Sequence, residues 1–228
     1  MADVRLYLVR HGEPDAGGRF YGHLDVPLTE RGRGQARAAA MTLARQPIVR
    51  IAASDLQRAA WGAEQIALAL ATGDVQPGAH STHVALREMH LGALEGVPHG
   101  EALQHYPEIA GRRYEDMLDV RIPRGGESVR DVAARALPEL AAIVQDAART
   151  AGAACVVVVS HNTINRVALA ATTAAGVAAY GQFPQRYAAI NRIDVPLEVA
   201  CAAATPAELF AHARIGFADA DPTAPLPA

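Results

Sequence analysis

Apolar and polar positions divide the chain into two kinds of segment. Val4 to Val9, Ile48 to Ala53, Cys155 to Val159 and Ala188 to Val195 are short apolar runs of strand length. Between them lie longer stretches in which apolar residues recur three and four positions apart, the period of a helix. The run Cys155-Val156-Val157-Val158-Val159 does not alternate, which is the pattern of a central strand buried on both faces. Thr29 fits as the N-cap of a helix reaching about Arg45 through Ala36, Ala39, Met41 and Leu43. Ser54-Asp55-Leu56-Gln57 has the capping-box spacing and predicts a second helix to about Ala71, ended by Gly73 and Pro77. Ser128-Val129-Arg130-Asp131 starts a third, carried by Val129, Val132, Ala136, Leu140, Ile143 and Val144, with Pro138 expected to kink or split it. A fourth is read from Asn162 to about Ala175.

Strand alternating with helix predicts an α/β fold, a three-layer α/β/α sandwich around a largely parallel central sheet. A chain of 228 residues supports one substantial core. The expected organisation is one domain over residues 1–218, with 97–124 as a short cap. That segment mixes His, Tyr, Pro and Arg without one clean period. Residues 219–228, with Pro222, Pro225 and Pro227, are expected to form a disordered tail.

Composition narrows the chemistry. The net charge is −3, which excludes the basic excess of a broad nucleic-acid footprint. Apolar runs fall short of bilayer length, so no membrane partner is expected. The first ten residues lack a secretion signal's long apolar region, which makes a cytoplasmic location the expectation. All 21 basic residues are Arg and none is Lys, which excludes lysine Schiff-base chemistry and the P-loop lysine. An anion site here must therefore use Arg, His and backbone N–H groups, and Arg suits bidentate phosphate or carboxylate recognition. Cys155 and Cys201 cannot hold a metal alone, and Cys155 reads as a buried reduced thiol. The histidines show no metal-ligand spacing, so neither metal nor cofactor is expected. Trp61 reads as core or interface.

Leu8-Val9-Arg10-His11-Gly12-Glu13 lies where the first strand ends, the edge at which open α/β sheets bind ligands. The central strand also ends on a histidine, His161, just where a helix begins. Two such histidines can meet in one crevice, and the helix start adds free N–H groups and a positive dipole end. Taken singly, each charged residue has a plainer reading. Arg10 and His11 fit a surface pair at a loop entrance, Arg58 could pair with Asp55 or Glu64, and Glu88 with Arg87 or His90.

The order of motifs goes further. Leu8 to Glu13, Tyr21-Gly22-His23-Leu24-Asp25-Val26-Pro27-Leu28-Thr29-Glu30-Arg31-Gly32, Ser54-Asp55-Leu56-Gln57-Arg58-Ala59, Leu86-Arg87-Glu88-Met89-His90-Leu91-Gly92-Ala93-Leu94-Glu95-Gly96, Gly125-Gly126-Glu127-Ser128 and Ser160-His161-Asn162 occur in sequence. Together they resemble the histidine phosphatase superfamily, the phosphoglycerate-mutase-like proteins, over residues 4 to 195. The resemblance implies that His11 is a nucleophile forming a phosphohistidine. It implies that Arg10, Arg58 and His161 hold the phosphoryl oxygens, with His161 also counted as catalytic, and that Glu88 protonates the leaving oxygen. Glu13 and Ser160 look like supporting residues. The implied activity is metal-independent hydrolysis of a small phosphomonoester, in a branch resembling α-ribazole phosphatase, with phosphoserine phosphatase a near neighbour. A phosphoglycerate mutase, or a non-catalytic phosphate-binding scaffold of the same fold, is the alternative.

The physical chemistry fits these roles. A phosphate dianion needs several cationic donors, and its transfer is mainly positioning and charge stabilisation. The attacking nitrogen of His11 must be unprotonated, so its other N–H should donate to a carbonyl or a water. Nearby arginines disfavour the imidazolium, and a moderately raised pKa suits Glu88. The chain departs from the family after Glu13. Pro14 replaces a Thr, an Asn that contacts phosphate is missing, and the loop is short, with Gly17-Gly18 or Arg19 as candidate replacements. The segment after Gly96 is short beside the true mutases, which favours hydrolysis. Arg19, His23 and His90 are the candidate substrate contacts. With His99, His105, Tyr106, Arg112 and Arg113 near the same rim, a small polar or anionic leaving group is expected.

Overall fold

A computed structural model describes residues 2–71 and 80–227. Six strands form one sheet: β1 (Asp3–Arg10), β2 (Ile48–Ser54), β3 (Ser81–His83), β4 (Cys155–Ser160), β5 (Ile190–Pro196) and β6 (Arg214–Ala220), in the order β3-β2-β4-β1-β5-β6. The pairings β2–β3, β2–β4 and β1–β4 are parallel, whereas β5 and β6 add an antiparallel edge. The sheet is thus mostly parallel, as the alternation of strand and helix predicts.

Both faces are covered. Tyr7, Val9, Ile51, Ala53, Val157 and Val159 point to the side packed by α1 (Glu30–Leu43) and α2 (Gln57–Ala71). Leu6, Leu8, Val156, Val158 and Ile193 point to the other, larger core. That core is packed by α5 (Val129–Ala151) and α6 (Asn162–Ala171), with α7 (Leu197–Ala202) and α8 (Pro206–Ala211) beside them. The period of two along β1 sends neighbouring side chains to opposite cores. β4 is buried at all six positions, as its unbroken apolar run predicts. Residues 97–124 form α3 (His99–His105), α4 (Pro107–Ala110) and a 3-10 turn at Tyr114–Asp116, and Ile109, Met117 and Ile122 bury into the larger core.

Helix ends show which local readings held. Thr29 caps α1 by accepting from the Gly32 N–H, and Ser128 and Asp131 form a reciprocal capping box on α5. Ser54 does not cap α2. Its hydroxyl accepts only the Leu56 N–H, at 3.3 Å, while the Gln57 N–H is capped by Asp25 Oδ1 at 2.7 Å from a loop far earlier in the chain. A tertiary partner has replaced the local one. The expected stops at Gly73 and Pro77 lie outside the described residues. Pro138 does not split α5, which runs unbroken to Ala151 with Val132, Ala136 and Leu140 buried on either side of it. Packing of that face outweighs one missing N–H. α6 stops at Ala171, because the hydroxyls of Thr172 and Thr173 fold back onto the Leu169 and Ala170 carbonyls.

The expected boundary at residue 218 falls inside β6. Beyond it, Thr42 Oγ1 donates to the Pro222 carbonyl at 2.7 Å, and Leu226 packs against the α1–α2 core. The proline-rich composition pointed to a solvated tail, but Pro222 and Leu226 give it apolar surface to bury.

One close contact places the loop after β1. A Cβ on Gly32 would lie 2.1 Å from the Glu13 carbonyl oxygen, and one on Gly12 would meet the Gly32 carbonyl at the same distance. The chain leaving β1 therefore rests directly on the first turn of α1. Gly34, two residues on, faces open space. Gly32→Ala is expected to lower stability by about 1–3 kcal/mol through forced backbone displacement. Gly34→Ala should be neutral or stabilising by up to about 1 kcal/mol. Urea denaturation midpoints of the two variants check the contrast.

Candidate active site

β1 and β4 lie side by side in parallel register, with Arg10 opposite Ser160. Their next residues, His11 and His161, are therefore neighbours at the same sheet edge, and their ring centroids are 5.1 Å apart. The His11 N–H donates to the Ser160 carbonyl at 3.0 Å, locking the two strand ends together. His11 Nδ1 lies 2.6 Å from the Gly12 carbonyl. A carbonyl only accepts, so Nδ1 carries the proton and Nε2 keeps its lone pair.

Arg58, in the first turn of α2, is wholly buried. Its Nη1 donates to the Leu24 carbonyl at 2.9 Å and its Nη2 to the Gly22 carbonyl at 2.7 Å. Arg10, ending β1, donates to the Gln185 carbonyl. Each guanidinium faces a tyrosine ring: Arg10 lies 4.2 Å from the centroid of Tyr187, and Arg58 5.1 Å from that of Tyr21. Desolvation, with Tyr187 nearby, raises the pKa of Tyr21, which keeps that phenol neutral. Burial, reinforced by the two arginines, holds His11 well below the usual histidine range. His161 is held well below it by the same burial, then by Arg58, His11 and Arg10. Arg10 Nε, Arg58 Nε and both ring nitrogens of His161 are buried without a hydrogen-bond partner among the described residues. These donors suit an anion with several acceptor oxygens.

Glu88 follows the 3-10 turn at Val84–Leu86. Its Oε1 accepts from the Met89 N–H at 2.8 Å and from the Thr163 N–H, in the first turn of α6, at 3.3 Å. Arg135 of α5 steadies this segment. It donates to the Ala85, Arg87 and Glu88 carbonyls and is paired with Glu127 at 2.7 Å. The plainer partners fall away. Asp55 is taken by Arg87 in a bidentate pair, and neither Arg58 nor Glu88 forms an ion pair among the described residues.

The five residues Arg10, His11, Arg58, Glu88 and His161 thus come from four separate segments to one crevice. The three candidate substrate contacts are placed differently. His23 Nε2 donates to the Glu88 carbonyl at 2.8 Å, and His90 Nδ1 accepts the Gly92 N–H at 3.0 Å, so both rings brace the loop that carries Glu88. Arg19 is exposed and donates to the Gly96 carbonyl at 2.8 Å. With Gly17 and Gly18 it lines a side crevice that Tyr21 and Tyr187 share. Glu13 accepts from Thr29 Oγ1, and Ser160 donates to Asn165, which fits supporting roles.

Several participants escaped sequence reading. Tyr187 follows no motif, and segment 185–189 is brought over Arg10 by two backbone bonds, Arg10 N–H to Ala189 O and Ala188 N–H to His11 O. Ala188 adopts a left-handed φ of 57° there, a strain of about 1–3 kcal/mol that the surrounding bonds sustain. Beneath lies a buried amide network in which Gln185 Oε1 accepts from Asn165 and Asn191, and Asn191 donates to the Leu8 carbonyl. Isolated amides in a sequence carry no signal of such a cluster.

A cavity of about 300 Å³ adjoins the crevice, bordered by Arg10, Tyr21, Glu88 and Thr163. Of the expected polar rim, His99 and Arg112 border it. Arg113 is paired outside with Asp116, Arg112 gives its Nε to the Glu108 carbonyl, and most of the wall is built from apolar side chains. Among the described residues no cluster of three His, Cys, Asp or Glu could hold a metal, and no helix is long and apolar enough to cross a membrane.

The sequence profile of the histidine phosphatase superfamily (branch 1) matches residues 6–198, and the chain belongs to that family. It is 42% identical over 137 residues to a glucosyl-3-phosphoglycerate phosphatase of Mycolicibacterium vanbaalenii, a match covering 59% of this chain and 57% of that protein. The chain spans about 60% of the length of the curated relatives it matches first. Among solved structures, mycobacterial hydrolase 2 is similar at a TM-score of 0.79 and 28% identity, covering 97% of this chain and 92% of the other. An α-ribazole phosphatase from Shigella flexneri, 21% identical with a TM-score of 0.75 over 96% and 97% of the two chains, shares the fold alone.

The buried neutral histidines set a pH dependence. Both fold with pKa values below the ordinary 6.5, so between those values and 6.5 the unfolded chain binds more protons. Stability is full above about pH 6.5 and falls as the pH drops below it, by about 1.4 kcal/mol per pH unit for each histidine. Denaturant midpoints between pH 8 and 5 are expected to show this slope, and His161→Asn should remove His161's share of it. An unchanged slope in the variant would assign the dependence to other groups.

Proposed function

We propose that this member of the histidine phosphatase superfamily is a phosphomonoesterase that hydrolyses a small phosphorylated metabolite through a phosphohistidine on His11, without metal or cofactor, in the cytoplasm. The observation that carries this reading is the meeting of Arg10, Arg58 and His161, with unpaired buried donors, around an imidazole whose Nδ1 proton is fixed by Gly12. The phosphatase named among its relatives supports the same chemistry.

In the first step His11 Nε2 attacks phosphorus in line, the P–O bond to the leaving group breaks, and the Glu88 carboxyl gives its proton to that oxygen. Arg10, Arg58 and His161 donate to the three equatorial oxygens, where charge is spread in the transition state. In the second step water attacks the phosphohistidine, Glu88 takes a proton from the water, the P–N bond breaks, and phosphate leaves with His11 neutral again. The sum is ester plus water giving alcohol plus phosphate.

Labelled aryl phosphate with rapid non-acid quenching is expected to trap an acid-labile, base-stable phosphoryl group, absent in His11→Ala. Arg58→Ala should lower kcat by about 10³–10⁵-fold, by analogy with other phosphoryl-clamping arginines. Activity should survive exhaustive chelation, and orthovanadate should inhibit. Turnover persisting in His11→Ala, or label on a serine, would overturn the mechanism. Transfer of the label to an alcohol in preference to water would favour the mutase reading.

A further inference from the structure

The cavity beside Glu88 has a chemistry of its own. Much of its wall is formed by Phe20, Leu91, Leu94, Ile109, Met117 and Ile122, none of which offers a hydrogen-bonding side chain. Several of the polar groups that border it are already engaged. Tyr114 Oη is bonded to Thr163 Oγ1 at 2.7 Å, the Thr163 N–H reaches Glu88, and the Gly22 carbonyl receives Arg58. Desolvation, with Glu88 nearby, pushes the Tyr114 phenol up, which keeps it neutral. His99 sets its ring edge against Phe20, with centroids 4.5 Å apart, and stays exposed with Arg112 on the cavity's border.

Position assigns the cavity to one end of the substrate. The phosphoryl oxygens are claimed by Arg10, Arg58 and His161, whereas Glu88 serves the leaving oxygen. A cavity bordered by Arg10 and Glu88, and not lined by His11 or His161, receives the leaving alcohol. We propose that it is a leaving-group subsite for alkyl and aryl phosphomonoesters, and that this chain prefers an apolar or aromatic alcohol to a polyhydroxylated one. The inference rests on the phosphatase reading and narrows its substrate class. A sugar-like leaving group would bury hydroxyls against the apolar wall, each unpaired one costing roughly 5- to 100-fold in affinity. An alkyl chain gains roughly three- to fourfold per buried methylene. The volume lies at the lower end of the range for small-molecule sites, roughly 300–1,000 Å³, so the gain ends after a few carbons.

Phosphonates test this without turnover, because their P–C bond is not hydrolysed. Methyl, propyl, hexyl and benzyl phosphonate are titrated calorimetrically against the whole chain, and phenyl phosphate, phosphoserine and 3-phosphoglycerate are compared as substrates. Affinity is expected to rise about threefold per methylene at first and then level off, and phenyl phosphate should show the highest kcat/KM through a lower KM. Leu91→Asn, at a half-buried wall position, and Ala110→Trp, which fills the space beside Ile109, should each bring the hexyl-to-methyl affinity ratio towards one. Equal or weaker binding of the longer phosphonates, with phosphomonoesters still turned over, would overturn the leaving-group assignment and leave the phosphatase reading standing. Absence of both phosphonate binding and turnover would overturn both.

Discussion

Two guanidinium groups, Arg58 wholly buried and Arg10 half-buried, neither with a carboxylate ion pair among the described residues, are the constraint around which this molecule is organised. Arg10 and Arg58 are held by backbone carbonyls and tyrosine faces. Those partners fix the cations in place without cancelling their charge. A buried cation lacking a counter-charge is costly, and here its cost is offset by the rest of the fold. Burial, and then the same field, makes an imidazolium unfavourable at both histidines, which keeps the His11 lone pair available and leaves positive charge for an incoming anion to neutralise. In the proposed reaction, binding and nucleophilicity share this setting.

The fold delivers these groups by backbone means. The parallel register of β1 and β4 sets the histidines side by side, and the Gly12–Gly32 contact fixes the loop that follows β1. The amide network of Gln185, Asn165 and Asn191 joins α6, β5 and the segment bearing Tyr187 beneath the crevice. Arg135 ties the carbonyls of the Glu88 segment to α5. The side chains of the site therefore stand on backbone that is hydrogen-bonded on several sides, which is what a reaction governed by positioning requires.

What could be read from sequence divides along the range of the forces involved. Strand and helix periods, the Thr29 and Ser128 caps and the unbroken β4 run act within a few residues, and they led to the sheet and its layers. The convergence of Arg10, His11, Arg58, Glu88 and His161 was legible only because their motifs occur in a known order, since no local pattern brings Arg58 towards His11. Features made by tertiary contact left no trace in sequence. Asp25 caps α2 across the fold, Tyr187 is carried over Arg10 by its neighbours' backbone bonds, and His23 and His90 spend their ring nitrogens on the Glu88 loop.

The rim shows why composition misled where period was short. Residues 97–124 are rich in Arg and His, and a polar wall was the natural expectation. Helices of seven and four residues are too short to display an amphipathic repeat, so the apolar minority could not be told apart as a face. In the fold, Arg113 pairs with a neighbouring carboxylate outside, while Ile109, Met117 and Ile122 turn inwards. On the proposed reading, selectivity and chemistry are thereby separated in space. Arginine and histidine at the strand ends would grip a phosphoryl group common to many esters, and a mostly apolar wall supplied by the cap would face the part by which those esters differ. Because the apolar residues of the wall carry no charge and Arg10, Tyr21 and Glu88 only border it, the wall can change with little effect on the charge that would drive phosphoryl transfer.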